Sequence, residues 1–112
     1  MESEPQQAAV FYRDLRAGIL SKKGSGYEFI YDTAYLENPK ANAVSLSLPL
    51  RPEKFVSSRL FSFFDGLLPE GWLLELTSTV AHIDPHDKFR LLLHTGRDTV
   101  GAVSLRPVEE HE

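Results

Sequence analysis

The chain has 112 residues, 42% of them apolar and 25% charged, a balance that suits one compact globular domain and argues against disorder. Sixteen acidic residues against twelve basic ones give a net charge of −4, which argues against direct nucleic-acid binding because that needs clustered cations. The absence of cysteine excludes disulfide bonds, thiolate nucleophiles and cysteine-ligated zinc.

No stretch of the sequence has the pattern of a targeting or membrane-spanning segment. Residues 1–7 are polar and acidic, without the cationic flank and apolar run of a signal peptide. The longest uncharged run, residues 41–50, includes Asn42 and Pro49. It is far shorter than the about 20 apolar residues that cross a bilayer. We therefore expect a soluble, cytoplasmic protein that does not contact a membrane.

The first third of the chain predicts a meander of three β-strands at residues 8–12, 17–21 and 27–31. The third strand carries aromatic residues at alternate positions, which favours aromatic pairing across a sheet. Gly18 predicts a bend or bulge in the second strand. The sequence KKGSG at residues 22–26 lacks the spacing of a phosphate-binding loop and predicts a hairpin turn.

The middle of the chain predicts one short helix and one further strand. Asp32 is a suitable N-cap for a helix that ends at Leu36. Residues 44–48 alternate apolar side chains with serines, as in a half-buried strand. Pro49 and Pro52 then end that strand, because proline cannot donate to a sheet.

The second half changes to helical periodicity. Residues 60–68 carry an apolar stripe at helical spacing and predict an amphipathic helix capped by Ser57 or Ser58. Pro69 suits the first turn of a second helix, which we expect to run to about Ala81.

A third helix is predicted after Asp84, where a capping residue, a proline and a second aspartate follow one another. It ends at Gly96, and residues 102–105 form the last strand. The residues that this helix buries are Phe89, Leu92 and Leu93. The predicted fold class is α+β, with a small antiparallel sheet and about three helices packed on one face.

The search for chemistry in the sequence gives no catalytic set. His82, Asp84, His86 and Asp87 lie within six residues and could ligate a metal, but capping of the next helix explains both aspartates without an ion. No serine lies in a nucleophile motif. We therefore expect no catalytic, cofactor-binding or metal-binding residue in this chain.

Trp72 carries the most specific interaction hypothesis. Helical periodicity places an apolar stripe of Leu73, Leu76, Thr77 and Val80 on the second predicted helix, and Trp72 borders that stripe. The indole therefore either closes the margin of the core or anchors a partner protein. The second interpretation follows from the enrichment of exposed tryptophan at binding hot spots.

Several segments occur together, and in this order, in one protein family. They are YEFIYDTAY at residues 27–35, SLSLPL at 45–50, FFDGLLPEG at 63–71, residues 89–93, and GRDTVGAV at 96–103. On these motifs the chain resembles the small N-terminal subdomain of the HipA family of bacterial toxin kinases. The resemblance implies one domain at residues 8–107, preceded by a flexible N-terminus, residues 1–7, and followed by an acidic tail, residues 108–112.

What the chain lacks changes the function that the resemblance implies. Nothing after Arg106 can supply the phosphate-binding loop, catalytic aspartate and metal-binding aspartate of the family, so we expect no enzymatic activity and no cofactor. A separate subdomain of this kind is similar to the small antitoxin of tripartite HipBST toxin–antitoxin systems. That resemblance implies two partners, a HipT-like toxin kinase and a HipB-like DNA-binding protein.

The predicted partner-binding residues lie at the corner between the first two helices of the second half. Inhibition by occlusion, or by holding a kinase open, needs surface and no catalytic chemistry. Proline and glycine fix the corner, the glutamate offers a carboxylate, and the tryptophan offers contact area at low entropic cost. These residues are Leu68, Pro69, Glu70, Gly71 and Trp72.

Two alternatives remain open at the level of the sequence. The chain could be an adaptor that links a kinase to a HipB-like protein without inhibiting it, or it could be the excised N-terminal subdomain of a complete HipA kinase. Met1 and the acidic residues 109–112 are expected to be natural ends, which weighs against the second alternative.

Overall fold

The computed structural model describes residues 7–24, 26–68, 71–96, 99 and 101–108. In this part of the chain five strands form one antiparallel sheet with the order β4-β3-β2-β1-β5. The strands are β1 Gln7–Tyr12, β2 Leu15–Lys23, β3 Gly26–Tyr31, β4 Phe55–Ser57 and β5 Val103–Pro107. The helices are α1 Thr33–Leu36, α2 Ser62–Asp65, α3 Gly71–Ala81 and α4 Lys88–Thr95. The predicted α+β class is confirmed.

The predicted meander of three strands is also confirmed, including the irregularity at Gly18. Val10 pairs with Gly18, whereas the next residue, Phe11, pairs with Arg16, so Ala17 is an extra residue in β2. This is a β-bulge. A Cβ atom at Gly18 would collide with the backbone carbonyl oxygen of Ile30 on β3, and glycine is therefore required where the two strands approach.

The strand predicted at residues 44–48 is wrong. These residues form a tight turn closed by a single bridge between Ser45 and Leu48, and Leu46 lies at the tip with its side chain in solvent. The alternation was misleading because Val44 and Leu48 are buried in the core from the two ends of a turn, and not from one face of a strand. The strand that does join the sheet here is β4, which sequence periodicity missed because it has only three residues.

The first predicted helix of the second half is much shorter than expected. Residues 60–68 contain only the single turn of α2, and its N-cap position is Phe61. Ser57 lies in β4, where its hydroxyl accepts a hydrogen bond from the backbone N–H of Arg59 at 3.1 Å. The apolar stripe at residues 60–68 therefore reflects packing on the core by a mostly irregular segment.

The other two helices end where they were predicted to end. α3 ends at Ala81, and Gly96 follows α4 as its C-cap. α4 begins later than predicted, because Asp87 and not Asp84 is its cap: the Asp87 carboxylate accepts a hydrogen bond from the backbone N–H of Arg90 at 3.3 Å. The α4 residues Phe89, Leu91 and Leu92 are buried, whereas Leu93 is only partly buried.

The core lies between one face of the sheet and the helices α1, α2 and α4. Phe29 on β3 is its centre, with the rings of Tyr31, Phe55 and Phe64 at 4.8, 6.3 and 5.7 Å between centroids. Each of the three helices contributes one aromatic side chain to this core: Tyr35, Phe64 and Phe89. The longest helix among the described residues has 11 residues, and none is long and apolar enough to cross a membrane.

Candidate partner-binding site

Helix α3 exposes an apolar face. Leu76 is 49% exposed and Val80, one turn later, is 70% exposed. Of residues 74–81, only Ser78 is buried. The prediction that Leu76 and Val80 lie on the buried stripe of this helix is therefore wrong, and Thr77 is only partly buried. The side of α3 that carries Leu76 and Val80 faces solvent, and Ser78 faces the domain.

The end of α3 explains this orientation. His82 has a positive φ of 58°, and the backbone N–H of Ile83 donates to the carbonyl oxygen of Ser78 at 3.0 Å. This is the hydrogen-bond pattern of a Schellman C-cap. The Ser78 hydroxyl in turn donates to the Ile83 carbonyl oxygen. Because Ile83 is buried, this reciprocal pair holds the Ser78 side of the helix inward and leaves Leu76 and Val80 outside.

Two of the five predicted partner-binding residues lie at the start of this helix. Gly71 and Trp72 are the first two residues of α3, and Trp72 precedes Leu76 by four positions, which is about one helical turn. Leu68 is partly buried and packs on the main core. Pro69 and Glu70 lie outside the described residues. The partner-binding role of these five residues stays a prediction.

Leu76 and Val80 are the members of this site that sequence reasoning missed. Their spacing showed that they share a face of the helix, but it assigned that face to the core. The sequence pattern did not distinguish the two sides, because Leu74 lies one turn before Ser78 and makes the buried side partly apolar as well.

A polar cavity of about 500 Å³ lies at the Tyr27 end of β3. Its lining includes an ion pair between Lys88 and Asp65, whose Nζ and Oδ1 atoms are 3.3 Å apart. Burial raises the pKa of Tyr27, and the nearby carboxylates of Asp87 and Asp65 raise it further. The phenol therefore stays protonated at neutral pH.

The histidine and aspartate cluster after α3 forms turns and caps. Asp84 accepts the backbone N–H of His86 at 2.8 Å, and the His86 Nδ1 atom lies 3.2 Å from the same carboxylate oxygen. The backbone hydrogen bond is the main reason that the pKa of Asp84 is lowered. The capping interpretation is confirmed for Asp87. Among the described residues no three His, Asp or Glu side chains are grouped as metal ligands would be.

The fold is a small α+β domain in which Leu76 and Val80 of one helix are exposed. The HipA N-terminal domain family matches residues 8–106 of the chain, so the protein belongs to this family. Its structure is similar to that of the N-terminal domain of HipA toxin, with a TM-score of 0.72 and 30% sequence identity, over 99% of this chain and 100% of the other. The predicted resemblance to the HipA N-terminal subdomain is confirmed.

Individual relatives differ in length. An uncharacterized protein of Haemophilus influenzae is 37% identical over 89 residues, which cover 80% of each chain, so the two proteins are similar in size. Two Sinorhizobium fredii proteins carry the names "Putative kinase Y4mE" and "Putative kinase Y4dM" and are 35% and 37% identical over 73% and 72% of this chain. The matched part makes up only 20% and 21% of their length.

Proposed function

We propose that this protein is a HipS-like antitoxin, which binds and neutralises a HipT-like serine/threonine toxin kinase and joins a HipB-like DNA-binding protein in the same complex. The observation that carries the proposal is the uncovered apolar face of α3. In the Sinorhizobium relatives, whose names describe putative kinases, the matching segment makes up only about one-fifth of the chain. A domain of the same family that is a separate protein would offer the exposed face to a separate kinase.

The proposed mechanism is binding without catalysis. Full burial of an exposed leucine or valine contributes about 1.5–3 kcal/mol, because apolar surface leaves water. Burying Leu76 and Val80 in a kinase would contribute part of this amount for each side chain, since Leu76 is 49% and Val80 70% exposed in the free domain. Trp72, one turn before Leu76, would add the kind of aromatic contact that dominates many interfaces. The domain would then hold the kinase in a conformation that cannot transfer phosphate, or cover its active site.

The size of the Haemophilus protein supports the idea that a domain of this family can act apart from a kinase. The match covers 80% of the Haemophilus protein, and so the family includes a small protein without an attached kinase-sized segment. The kinase activity suggested by the names of the longer relatives is proposed for the partner and not for this chain.

Co-expression with a HipT-like toxin kinase tests the proposal. We expect the wild-type protein to restore growth, and the double variant Leu76→Ser/Val80→Ser to fail while its circular dichroism stays unchanged. Val56→Ser is the matched control, because Val56 is 66% exposed but lies on β4. Trp72→Ala should fail like the double variant, with a loss of about thirtyfold in affinity.

Each contrary result has a distinct meaning. Absence of any complex between the wild-type protein and the kinase would overturn the proposal. A complex that forms without restoring growth would identify an adaptor. If the α3 double variant neutralises the kinase normally, the interface lies on another surface of the domain. Phosphate transfer that copurifies with this chain would show that it is an enzyme.

A further inference from the structure

Helix α3 stands apart from the aromatic core that the other helices share. α1, α2 and α4 each place a buried aromatic side chain in that core, whereas no apolar side chain described for α3 belongs to it or packs against it. Of residues 74–81, only Ser78 is buried. Most of the stability of a helix in a protein comes from packing of its apolar face, so residues 74–81 have little of the stabilisation that the other three helices have.

Among residues 74–81, the attachment of α3 to the domain is concentrated at the C-terminal end. It consists of the reciprocal hydrogen bonds between Ser78 and Ile83 and of the burial of the Ile83 side chain. Ile83 is buried outside the cluster around Phe29. Apart from Ser78, no side chain of residues 74–81 forms a hydrogen bond or an ion pair within the part of the chain that the structure describes. Ser78 and Ile83 therefore form a C-terminal anchor for the helix.

This C-terminal anchor includes a residue in an unfavourable backbone conformation. His82, between Ser78 and Ile83, has a φ of 58°, in the left-handed region that glycine adopts more readily than any residue with a Cβ atom. Glycine is the usual residue at this position of a Schellman C-cap. The His82 side chain is exposed and forms no hydrogen bond or ion pair within the described chain. The anchor is therefore weaker than glycine at this position would make it.

We infer that α3 is a separate unit of the fold, which opens when the C-terminal anchor is lost while the sheet and its aromatic core stay folded. An isolated helix of 11 residues is marginal in water, so α3 unfolds when it opens. Opening exposes Ser78 and Ile83 but none of the residues that pack around Phe29. Segments with few buried contacts open at a lower free energy than the domain as a whole.

This opening makes the helical form of α3 an equilibrium that binding can shift. A molecule that binds Leu76 and Val80 only when the segment is helical favours the closed state by its difference in affinity for the two states. The inference itself requires no partner and concerns the free protein. It is therefore tested independently of the proposed function.

Native-state hydrogen exchange of the whole free protein, followed by mass spectrometry, tests the inference. We expect the amides of residues 76–81 to be at least about a hundredfold less protected than those of β2, because β2 opens only with the whole sheet. Phe64→Ala removes a buried ring of the aromatic core. It should lower the protection of β2 and leave that of α3 within about twofold of the wild-type value.

Two substitutions at His82 form a matched pair, because the exposed side chain leaves no contact behind when it is replaced. His82→Gly should raise the protection of α3 about fivefold, and His82→Val should lower it by about the same factor, because a β-branched residue tolerates a positive φ poorly. Arg13→Gly is the control. Arg13 also has a positive φ, of 55°, but lies between β1 and β2, so α3 should exchange as in the wild type.

The contrary results are equally specific. Equal protection of α3 and β2 in the wild type would overturn the inference, since α3 would then open only with the whole domain. An equal loss of protection in both regions of Phe64→Ala would overturn it for the same reason. Equal exchange of α3 in His82→Gly and His82→Val would show that the C-terminal anchor does not control the opening. If Phe64→Ala fails to fold, the wild type and the His82 pair decide the question.

Discussion

Around Phe29 three aromatic rings lie within 6.3 Å between centroids, whereas along α3 the side chains of Leu76 and Val80 meet solvent. In the sequence, the apolar pattern of α3 is as clear as that of the segments that form the aromatic core. In the aromatic core the chain buries its own apolar side chains, since α1, α2 and α4 cover one face of the sheet. α3 buries only Ser78 among the side chains described for it.

This difference separates residues that stabilise the domain from residues that are available to a partner. Apolar side chains in the core contribute to folding because the chain itself removes them from water. Leu76 and Val80 on α3 contribute less of this kind, because about half of the first and most of the second stay in water. Substitutions in the two regions should therefore differ in which equilibrium they change.

The largest expected effect on stability comes from truncating Phe64, which packs on Phe29 in the core. Phe64→Ala should lower the free energy of unfolding by about 3–5 kcal/mol, because Phe64 is fully buried against Phe29, Phe61 and Phe63. Val80→Ala on α3 should change it by less than about 0.5 kcal/mol. Urea unfolding followed by circular dichroism measures both. Equal losses of unfolding free energy in the two variants would show that Val80 stabilises the domain as much as Phe64 does.

A smaller effect is expected from the hydroxyls of Tyr31 and Tyr35, which bind the backbone around Leu46. Tyr31→Phe leaves the buried N–H of Val44 and the carbonyl oxygen of Leu48 without their partner, so it should cost about 1–3 kcal/mol. Tyr35→Phe should cost less than about 1 kcal/mol, since its partner Asn42 is exposed and water can replace the hydroxyl. Thermal unfolding ranks the two variants. The reverse ranking would show that the turn is not held through Tyr31.

The smallest effect concerns Asp84, in the connection between α3 and α4. Its pKa is lowered from 3.8, mainly by the backbone hydrogen bond from His86 and then by the His86 side chain. A carboxyl whose pKa is lowered on folding stabilises the folded state above its unfolded pKa, and this contribution is lost as the pH falls through the folded value. We expect stability to decrease below about pH 4 for this reason.

A carbon-detected NMR titration measures the pKa of Asp84 directly. In His86→Ala the backbone N–H remains, so the pKa should rise only part of the way towards 3.8. A complete return to 3.8 would show that the imidazole, and not the backbone, holds the carboxylate. In His86→Ala the fold around Phe29 should be unchanged, because Asp84 and His86 are exposed.

Sequence alone determined the parts of this protein that depend on neighbours in the chain. The meander was predictable because residues 8–31 combine strand-forming side chains with a glycine-rich turn. The bulge at Gly18 and the ends of α3 and α4 were predictable for the same local reason. The family motifs were readable because they are runs of consecutive residues.

Tertiary structure decided the features that depend on what the rest of the chain supplies. Leu46 points into solvent because Tyr31 and Tyr35 bind the backbone around it, and no local pattern contains those long-range hydrogen bonds. β4 exists because β3 offers an edge to pair with. Periodicity showed that Leu76 and Val80 share one side of α3, but only the packing of Ser78 and Ile83 determined that this side faces outward. An apolar stripe specifies which residues are buried together, and the folded chain decides whether it buries them itself or leaves them for a partner.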